Sequence, residues 1–185
     1  MKTGRAIGEP PKAAYLRVVG AILHAMTQDP GLLSFLRPSA VLVPVPSSSM
    51  KKPDSLWVPE QIALALVQTG LGSRVARLLE RTESIGKAAW SQSSERPTPL
   101  RHYETLAVQK DLLQVSEILV VDDIVTSGSA LLGSANRLHD AYPDVPIKGF
   151  AAIRTITDPI DFTVMQSPTV GTITMWPNGK GRRVP

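Results

Sequence analysis

Two adjacent carboxylates, Asp122 and Asp123, directly follow the apolar residues 118–121, and small or hydroxyl-bearing residues occupy 126–129. Carboxylates are suited to binding hydroxyl groups or Mg²⁺ rather than a phosphate. A turn of small residues before a helix presents free backbone N–H groups, which bind phosphate. The spacing therefore predicts a site for a phosphorylated ligand that also carries hydroxyl groups or a metal ion.

The elements on either side of this motif would position it. Residues 118–121 (ILVV) are apolar and mostly β-branched, which predicts a strand buried on both faces of a parallel sheet and ending at the two carboxylates. Apolar residues at helical spacing follow the turn, so a helix is predicted whose positive dipole end faces the ligand. The alternative is an ordinary capped helix after a buried strand, with Asp122 and Asp123 merely solvated.

Residues 120–128 (VVDDIVTSG) resemble the phosphoribosyl pyrophosphate (PRPP) signature of type I phosphoribosyltransferases. That signature is a run of apolar residues, two acidic residues, two apolar residues and then Thr-x-Gly. The resemblance implies an α/β type I phosphoribosyltransferase fold, with a central parallel β-sheet flanked by helices and a small irregular hood. It implies that Asp122 and Asp123 contact the ribose hydroxyls, act in catalysis and bind Mg²⁺. It also implies a phosphate-binding set made of Val125, Thr126, Ser127, Gly128 and Ser129.

Residues 40–45 (AVLVPV) predict an earlier strand, which we end near Val43 because proline is disfavoured in a central strand. The loop that follows would lie at the carboxyl end of the strand, where open α/β sheets bind ligands. In the competence-protein ComF-like branch of the family, the first core strand also ends in a Val-Pro loop followed by basic residues, here Lys51 and Lys52. The resemblance implies a pyrophosphate-binding set made of Pro46, Ser47 and Ser48.

A solvated surface loop is the alternative for this segment. The chain also departs from the ComF-like pattern at residues 53–57 (PDSLW), where relatives carry Arg-Gly-Phe-Asn. That departure weakens the assignment to this branch and leaves the assignment to the wider family unchanged.

A long polar stretch, residues 82–101, has no apolar periodicity and contains several serines. A segment of this kind inside a compact domain is usually functional or disordered. Type I phosphoribosyltransferases carry a flexible catalytic loop here, which closes over the pyrophosphate and supplies cations. The resemblance implies Lys87 and Arg96 as catalytic cations, against the alternative of solvated loop charges. Further candidates at the end of the stretch are Arg101, His102 and Tyr103.

The rest of the chain alternates predicted helices and strands, which indicates a parallel sheet with right-handed crossovers. Helices are predicted over 13–26, 59–69 and 131–142, and strands over 75–79, 104–108 and 147–153. Residues 156–185 are predicted to be irregular, apart from a short strand over 172–176 and a basic tail. In the family such segments form a hood over the nucleobase, so Trp176 would stack on a base. The alternative is that Trp176 packs the hood against the core.

The 185 residues, 43% of them apolar, predict one domain over 1–185 with a core at about 40–154. The absence of cysteine excludes thiol catalysis and disulfides. No apolar run approaches a membrane span and the first residues lack a signal-peptide core, so we expect a cytoplasmic protein without a membrane partner. The net charge of +4 suits a polyanionic ligand as well as nucleic acid, but the basic residues are scattered, so nucleic acid is not favoured.

The resemblance implies an enzyme that binds PRPP and Mg²⁺. It would transfer the 5-phosphoribosyl group to a nitrogen nucleophile, a nucleobase being the expected acceptor, and release pyrophosphate. The alternative is a regulatory module, linked to nucleotide or nucleic-acid sensing, that binds PRPP on the same fold without turnover. Dimers are frequent in the family, so a homodimer is compatible with the resemblance.

Overall fold

The computed structural model describes residues 35–49, 57–85, 96–109, 115–156 and 168–184, and also residues 17, 20, 21 and 24. Those four single residues are helical, which agrees with part of the helix predicted over 13–26. The rest of that helix, together with Lys51, Lys52 and Lys87, lies outside the described residues.

The described strands and helices alternate over much of the chain. The strands are β1 (Val41–Pro44), β2 (Arg74–Val75), β3 (Leu79–Arg81), β4 (Leu106–Val108), β5 (Ile118–Val125), β6 (Ile147–Arg154), β7 (Thr172–Met175) and β8 (Gly181–Val184). The helices are α1 (Val58–Gln68), α2 (Pro99–Glu104) and α3 (Ser129–Ala141). Within the described ranges, no helix is long and apolar enough to cross a membrane.

A parallel sheet with the strand order β2-β1-β5-β6 forms the centre of the described fold. Strand β1 runs beside β5 with Val41 opposite Ile118, and β5 runs beside β6 with Ile118 opposite Ile147. Parallel neighbours require a crossover, and helices α1 and α3 supply it between β1 and β2 and between β5 and β6. The predicted α/β architecture with a parallel sheet flanked by helices is confirmed.

Strand β5 is buried on both faces, as its apolar sequence predicts. Successive side chains of a strand point to opposite faces, so Leu119 packs in one core cluster with Leu66 of α1, whereas Val120 packs in a second cluster with Leu138 of α3. The two helices therefore cover opposite faces of the sheet, and β5 is held rigidly between them.

The first strand ends one residue beyond its predicted end near Val43, because β1 includes Pro44, which lies opposite Val121. The carbonyl of Leu42 faces β2 and accepts from Ala76 N at 2.9 Å. Pro44 faces the same side two residues later, where β2 has already ended at Val75. Proline has no N–H to continue this pairing, and the ladder between β1 and β2 has no bridge beyond Leu42 and Val75, so Pro44 lies at the end of that ladder.

The single strand predicted over 75–79 is wrong, because two strands of different sheets occupy this region. Strand β2 belongs to the parallel sheet, whereas β3 pairs antiparallel with β4, Leu79 lying opposite Val108. The predicted return strand over 104–108 is confirmed in part. It begins at Leu106, because α2 occupies the preceding residues and ends at Glu104.

The C-terminal segment is more regular than predicted. The short strand predicted over 172–176 is confirmed as β7, but the residues assigned to a basic tail form a second strand, β8, paired antiparallel with it. A turn joins the two strands, in which Gly179 adopts φ +74° and the side chain of Asn178 accepts from Lys180 N at 3.0 Å. We call β7 and β8 with this turn the C-terminal hairpin.

Candidate functional site

The acidic pair lies inside strand β5, not after its end as predicted. The strand continues through Asp122 and Asp123 to Val125, because β6 pairs with it as far as Val125, which lies opposite Arg154. Strand β1 has already ended beside Val121, so no neighbouring strand takes the N–H of Asp123; the Asp122 side chain accepts it, at 2.9 Å. The pair is thus held on an ordered strand that has lost one of its two neighbours.

The carboxyl of Asp122 is buried, with 9% of the residue exposed, whereas Asp123 is half-buried. Burial, together with the adjacent Asp123 carboxylate, raises the pKa of Asp122 to about 8. A buried carboxyl with a raised pKa is stabilised in its charged form when a cation or several hydroxyl donors approach it. The geometry therefore suits the two ligand types predicted for the pair.

Magnesium fits this donor set. Within the part of the chain that is described, no group of three or more potential metal-ligating side chains occurs, so a cation here would take oxygens from Asp122, Asp123 and its own ligand. Mg²⁺ commonly binds in this way, through one or two carboxylates together with water and substrate phosphates.

The turn after β5 forms the second half of the site. Gly128 is the N-cap of α3 and adopts φ +84°, a conformation that favours glycine. Because glycine has no side chain, no side-chain cap covers the first N–H groups of the helix. The hydroxyls of Ser127 and Ser129 lie 2.9 Å apart at this end. The five residues 125–129 thus place free amides, two hydroxyls and the positive end of the helix dipole together.

The loop after β1 lies at the same edge of the sheet, because β1 and β5 are parallel neighbours and Pro44 lies opposite Val121. Pro46 is buried, Ser47 is exposed and Ser48 is half-buried. The loop is fixed by Val45, whose N–H donates to Val121 O at 2.8 Å, and by Ser48, whose carbonyl accepts from Ile85 N at 2.8 Å. The structure therefore brings the predicted pyrophosphate loop next to the acidic pair.

Sequence reasoning missed Arg81, which lies behind this loop. The residue is 6% exposed, and its Nε donates to Ser47 O at 3.2 Å. A signal was present in the sequence: a strand that includes the apolar Leu79 places Arg81, two residues later, on the same face, and the structure buries both.

The C-terminal hairpin packs against the phosphate-binding turn, a contact that sequence reasoning also missed. A Cβ on Gly128 would lie 2.6 Å from Ile173 Cγ2, and one on Gly181 would lie 3.2 Å from Ser129 N. Arg183 ties the hairpin to the sheet, because its guanidinium donates to Val125 O at 3.3 Å and to Thr155 O at 2.9 Å. The hairpin therefore forms one wall of the turn, a placement that no local pattern in 168–184 indicates.

The predicted catalytic loop is shorter than expected at its C-terminal end. Arg101 and His102 lie in α2, where Arg101 pairs with Glu83 at 3.0 Å. Burial, followed by the nearby Arg81, lowers the pKa of His102 to about 4, so this histidine is a neutral packed residue. Arg96 is exposed at the start of the described segment, and Lys87 lies outside the described residues.

Trp176 lies at the end of β7, in the turn of the C-terminal hairpin, and is 45% exposed. The guanidinium of Arg182 stands 4.8 Å from its ring centroid, which indicates a cation–π contact. The ring is thus partly exposed, which leaves aromatic surface open to a ligand, while the rest of the residue is covered.

No protein-family model matches the chain, and no curated protein matches it. The assignment of a function therefore depends on the nine-residue motif at 120–128 and on the geometry described above.

Proposed function

We propose that the protein is a type I phosphoribosyltransferase that binds PRPP and Mg²⁺ and transfers the 5-phosphoribosyl group to a nitrogen nucleophile. The observation that carries the proposal is the succession at the end of β5. There, an acidic pair with one buried and one half-buried carboxylate is followed by a turn of small residues and by a helix that begins after Gly128 with uncapped amides. This succession provides a place for hydroxyl groups or a metal ion beside a place for a phosphate, and a phosphorylated sugar carries both.

Each of the three segments at this edge of the sheet would bind a different part of the ligand. The amides and hydroxyls of residues 125–129 would hold the 5′-phosphate, because a helix N-terminus with free N–H groups favours an anion. Asp122 and Asp123 would accept hydrogen bonds from the ribose hydroxyls and ligate Mg²⁺. The loop of Pro46, Ser47 and Ser48 would hold the pyrophosphate. When bound, Mg²⁺ neutralises the charge on the departing pyrophosphate.

The chemistry needs no covalent bond to the protein. The bond from C1 of the ribose to the pyrophosphate oxygen breaks, and pyrophosphate leaves with the electron pair. A bond from C1 to the acceptor nitrogen forms, and that nitrogen releases one proton. The half-buried Asp123 carboxylate would stabilise the positive charge that develops on the ribose, while the fixed segments keep the reacting atoms in line. Arg96 and Lys87 are proposed as cations that approach the pyrophosphate.

A nucleobase is the proposed acceptor. The exposed ring of Trp176 offers a stacking surface, and base stacking on an aromatic side chain contributes about 1–3 kcal/mol in nucleic-acid systems. One side of the ring is near Arg182, so a base would stack on the other side.

The test begins with binding. Titration calorimetry with PRPP and Mg²⁺ is expected to show saturable binding by the unmodified chain, and thermal melting is expected to show stabilisation. Asp123→Asn and Gly128→Val should both lose the stabilisation, since the first removes a ribose and metal ligand and the second strains the turn. Asp144→Asn, which changes an exposed carboxylate beyond α3, is the matched control and should retain it.

Turnover is then tested by incubating the protein with PRPP, Mg²⁺ and a panel of nucleobases while pyrophosphate release is followed. Release with one base and not with others supports the enzyme and identifies its acceptor. Tight PRPP binding without release from any base would favour the regulatory module. An unchanged melting shift in both Asp123→Asn and Gly128→Val would refute the assignment of the site.

A further inference from the structure

Arg81 is a buried cation without a carboxylate partner among the described residues. Arginine is almost never buried unless it is paired, because removing its charge from water is costly. Burial, and then the neighbouring Arg101, lowers the pKa of Arg81 to about 10, which leaves the guanidinium charged at neutral pH. A positive charge in this position is best explained by an anion that binds close to it.

The guanidinium of Arg81 is fixed from two sides. On one side, Nη1 donates to the hydroxyl of the fully buried Thr105 at 2.6 Å, and that hydroxyl donates to Arg101 O at 2.7 Å. On the other side, Nε donates to Ser47 O at 3.2 Å, and Nη2 makes a longer contact of 3.5 Å with Pro46 O. Arg81 thus connects the end of α2 to the backbone of the loop after β1.

These contacts determine which way the loop presents its amides. None of the described peptide bonds is cis, and in a trans peptide the C=O and the following N–H point in opposite directions. The carbonyls of Pro46 and Ser47 turn toward Arg81, so the N–H groups of Ser47 and Ser48 turn away from it. Neither N–H has an acceptor among the residues described. Two adjacent free amides with a buried cation behind them offer donors and positive charge to an anion.

We propose that Arg81 is the positioning residue that shapes residues 46–48 to bind the diphosphate of the ligand. This inference rests on the proposed function, which it deepens by assigning the diphosphate end to a definite arrangement. Arg81 acts through the loop: it holds the carbonyls back, directs the amides outward and adds positive potential behind them. The bond from Ile85 N to Ser48 O ties the same loop to the segment that follows β3.

Binding of two fragments of PRPP, pyrophosphate and ribose 5-phosphate, can distinguish this role of Arg81 from a general effect of its loss on the fold. Magnesium pyrophosphate should need the loop and Arg81, whereas ribose 5-phosphate should need the turn at residues 125–129. In titration calorimetry, Arg81→Met is expected to weaken pyrophosphate binding by about ten-fold or more, since a charge-assisted arrangement is lost. Ribose 5-phosphate binding should stay within about two-fold of the unmodified protein, which corresponds to a change of at most about 0.4 kcal/mol in the binding free energy.

Arg77→Lys is the matched control, because it changes an exposed arginine in the same connection between β2 and β3 but keeps the positive charge that pairs with the buried Glu60. It should leave both affinities unchanged. Arg81→Lys keeps the charge but lacks the planar fork that reaches Thr105 and the loop together, so it should restore part of the pyrophosphate affinity. If Arg81→Met does not fold, Thr105→Val removes one of the anchors of the guanidinium and should weaken pyrophosphate binding by a smaller factor.

The outcomes are distinct. Weakened pyrophosphate binding with unchanged ribose 5-phosphate binding supports the inference. Equal weakening of both fragments, or no change in a folded Arg81→Met and Thr105→Val, overturns it. Ribose 5-phosphate binding by the unmodified chain without any pyrophosphate binding also overturns it, while the turn at 125–129 stands. Arg81-dependent pyrophosphate binding without PRPP binding supports the anion site and refutes the proposed function.

Discussion

Gly181 in the C-terminal hairpin lies so close to Ser129 at the start of α3 that a Cβ on Gly181 would stand 2.9 Å from the Ser129 hydroxyl oxygen and 3.2 Å from its amide nitrogen. The first amide of α3 is therefore close to β8, a strand more than 50 residues away in the sequence. A phosphate that binds this amide would need the space that a side chain at position 181 would fill. The absence of a side chain at Gly181 is thus a condition for the proposed phosphate site.

Gly181→Ala is expected to weaken ribose 5-phosphate binding by about ten-fold, because the added methyl group takes the place of a phosphate oxygen at the helix amide. Pyrophosphate binding should not change, since that fragment is proposed to bind at the loop of residues 46–48. Titration calorimetry with the two fragments measures both. Thr174→Ala, on the exposed side of the same hairpin, is the control. Unaltered ribose 5-phosphate binding in a folded Gly181→Ala would show that the hairpin is not a wall of the site.

Arg183→Met should loosen the hairpin from the sheet. The guanidinium donates to Val125 O and Thr155 O, and each such bond contributes on the order of 1 kcal/mol to stability. Burial, followed by the nearby Arg154, lowers the pKa of Arg183, so repulsion from Arg154 offsets part of this contribution. We expect faster amide exchange in β7 and β8, measured by hydrogen–deuterium exchange, with little change in β5.

The control for this exchange experiment is Arg182→Met. The side chain of Arg182 stands over Trp176 and makes no hydrogen bond to the described strands of the parallel sheet. This substitution should leave the exchange of β7 and β8 close to that of the unmodified protein. Equal protection of the hairpin in the Arg183→Met variant and its control would contradict the tethering role.

The pH dependence of stability should report the buried carboxyl of Asp122. Its pKa rises from 3.8 to about 8 on folding, so between these values the folded chain retains a proton that the unfolded chain has lost. Raising the pH therefore favours unfolding, with a slope on the order of 1 kcal/mol per pH unit at most. The free energy of unfolding, measured by urea denaturation without divalent cations, should fall from pH 6.5 to pH 8.

Between pH 6.5 and pH 8 the effect of Asp122 on stability can be measured without a contribution from His102. The pKa of His102 is lowered from 6.5 to about 4 on folding, so the stability linked to it is lost only as the pH falls through that range. Asp122→Asn carries no proton to release, and its stability should be nearly flat over the window. An equal slope in Asp122→Asn and the unmodified protein would assign the pH dependence to other groups.

Local signals in the sequence were enough to predict a strand, a turn and a helix in this order over residues 118–141, although the strand extends four residues beyond its predicted end at Val121. There the apolar run, the acidic pair and the glycine are neighbours in the chain, and their order determines the local backbone. The same reasoning placed the end of β1 one residue early, because Pro44 is part of the strand through its pairing with Val121, which is distant in the sequence.

The parts that could not be predicted all depend on distant contacts. The role of Arg81 follows from its hydrogen bonds to carbonyls 34 and 35 positions away in the sequence. The role of Gly181 follows from its contact with Ser129. The basic composition around Arg183 indicated a basic tail, because a strand that reads Gly-Arg-Arg-Val has too few apolar residues to be recognised. Only packing against β5 and α3 gives these residues a place in the site.

Helices α2 and α3 are in close contact. This contact connects Thr105, which follows α2 and anchors Arg81, to the helix of the proposed phosphate site. A Cβ on Gly133 would lie 2.5 Å from Pro99 O and 2.6 Å from His102 Cβ. Replacing glycine by alanine inside a helix stabilises it by about 1 kcal/mol, but overpacking a close backbone contact costs about 1–3 kcal/mol. Because the nearest atom is a backbone oxygen that cannot rotate away, we expect the cost to exceed the gain.

Gly133→Ala should therefore lower the free energy of unfolding in urea denaturation, despite its better helix propensity. Gly149→Ala is the control, because its Cβ would meet Leu131 only at an ordinary distance of 3.5 Å. Moving α2 away from α3 would also displace Thr105, which follows α2 and holds Arg81, so pyrophosphate binding should weaken in Gly133→Ala and not in Gly149→Ala. A more stable Gly133→Ala variant with unchanged pyrophosphate binding would mean that α2 can separate from α3 without disturbing Arg81.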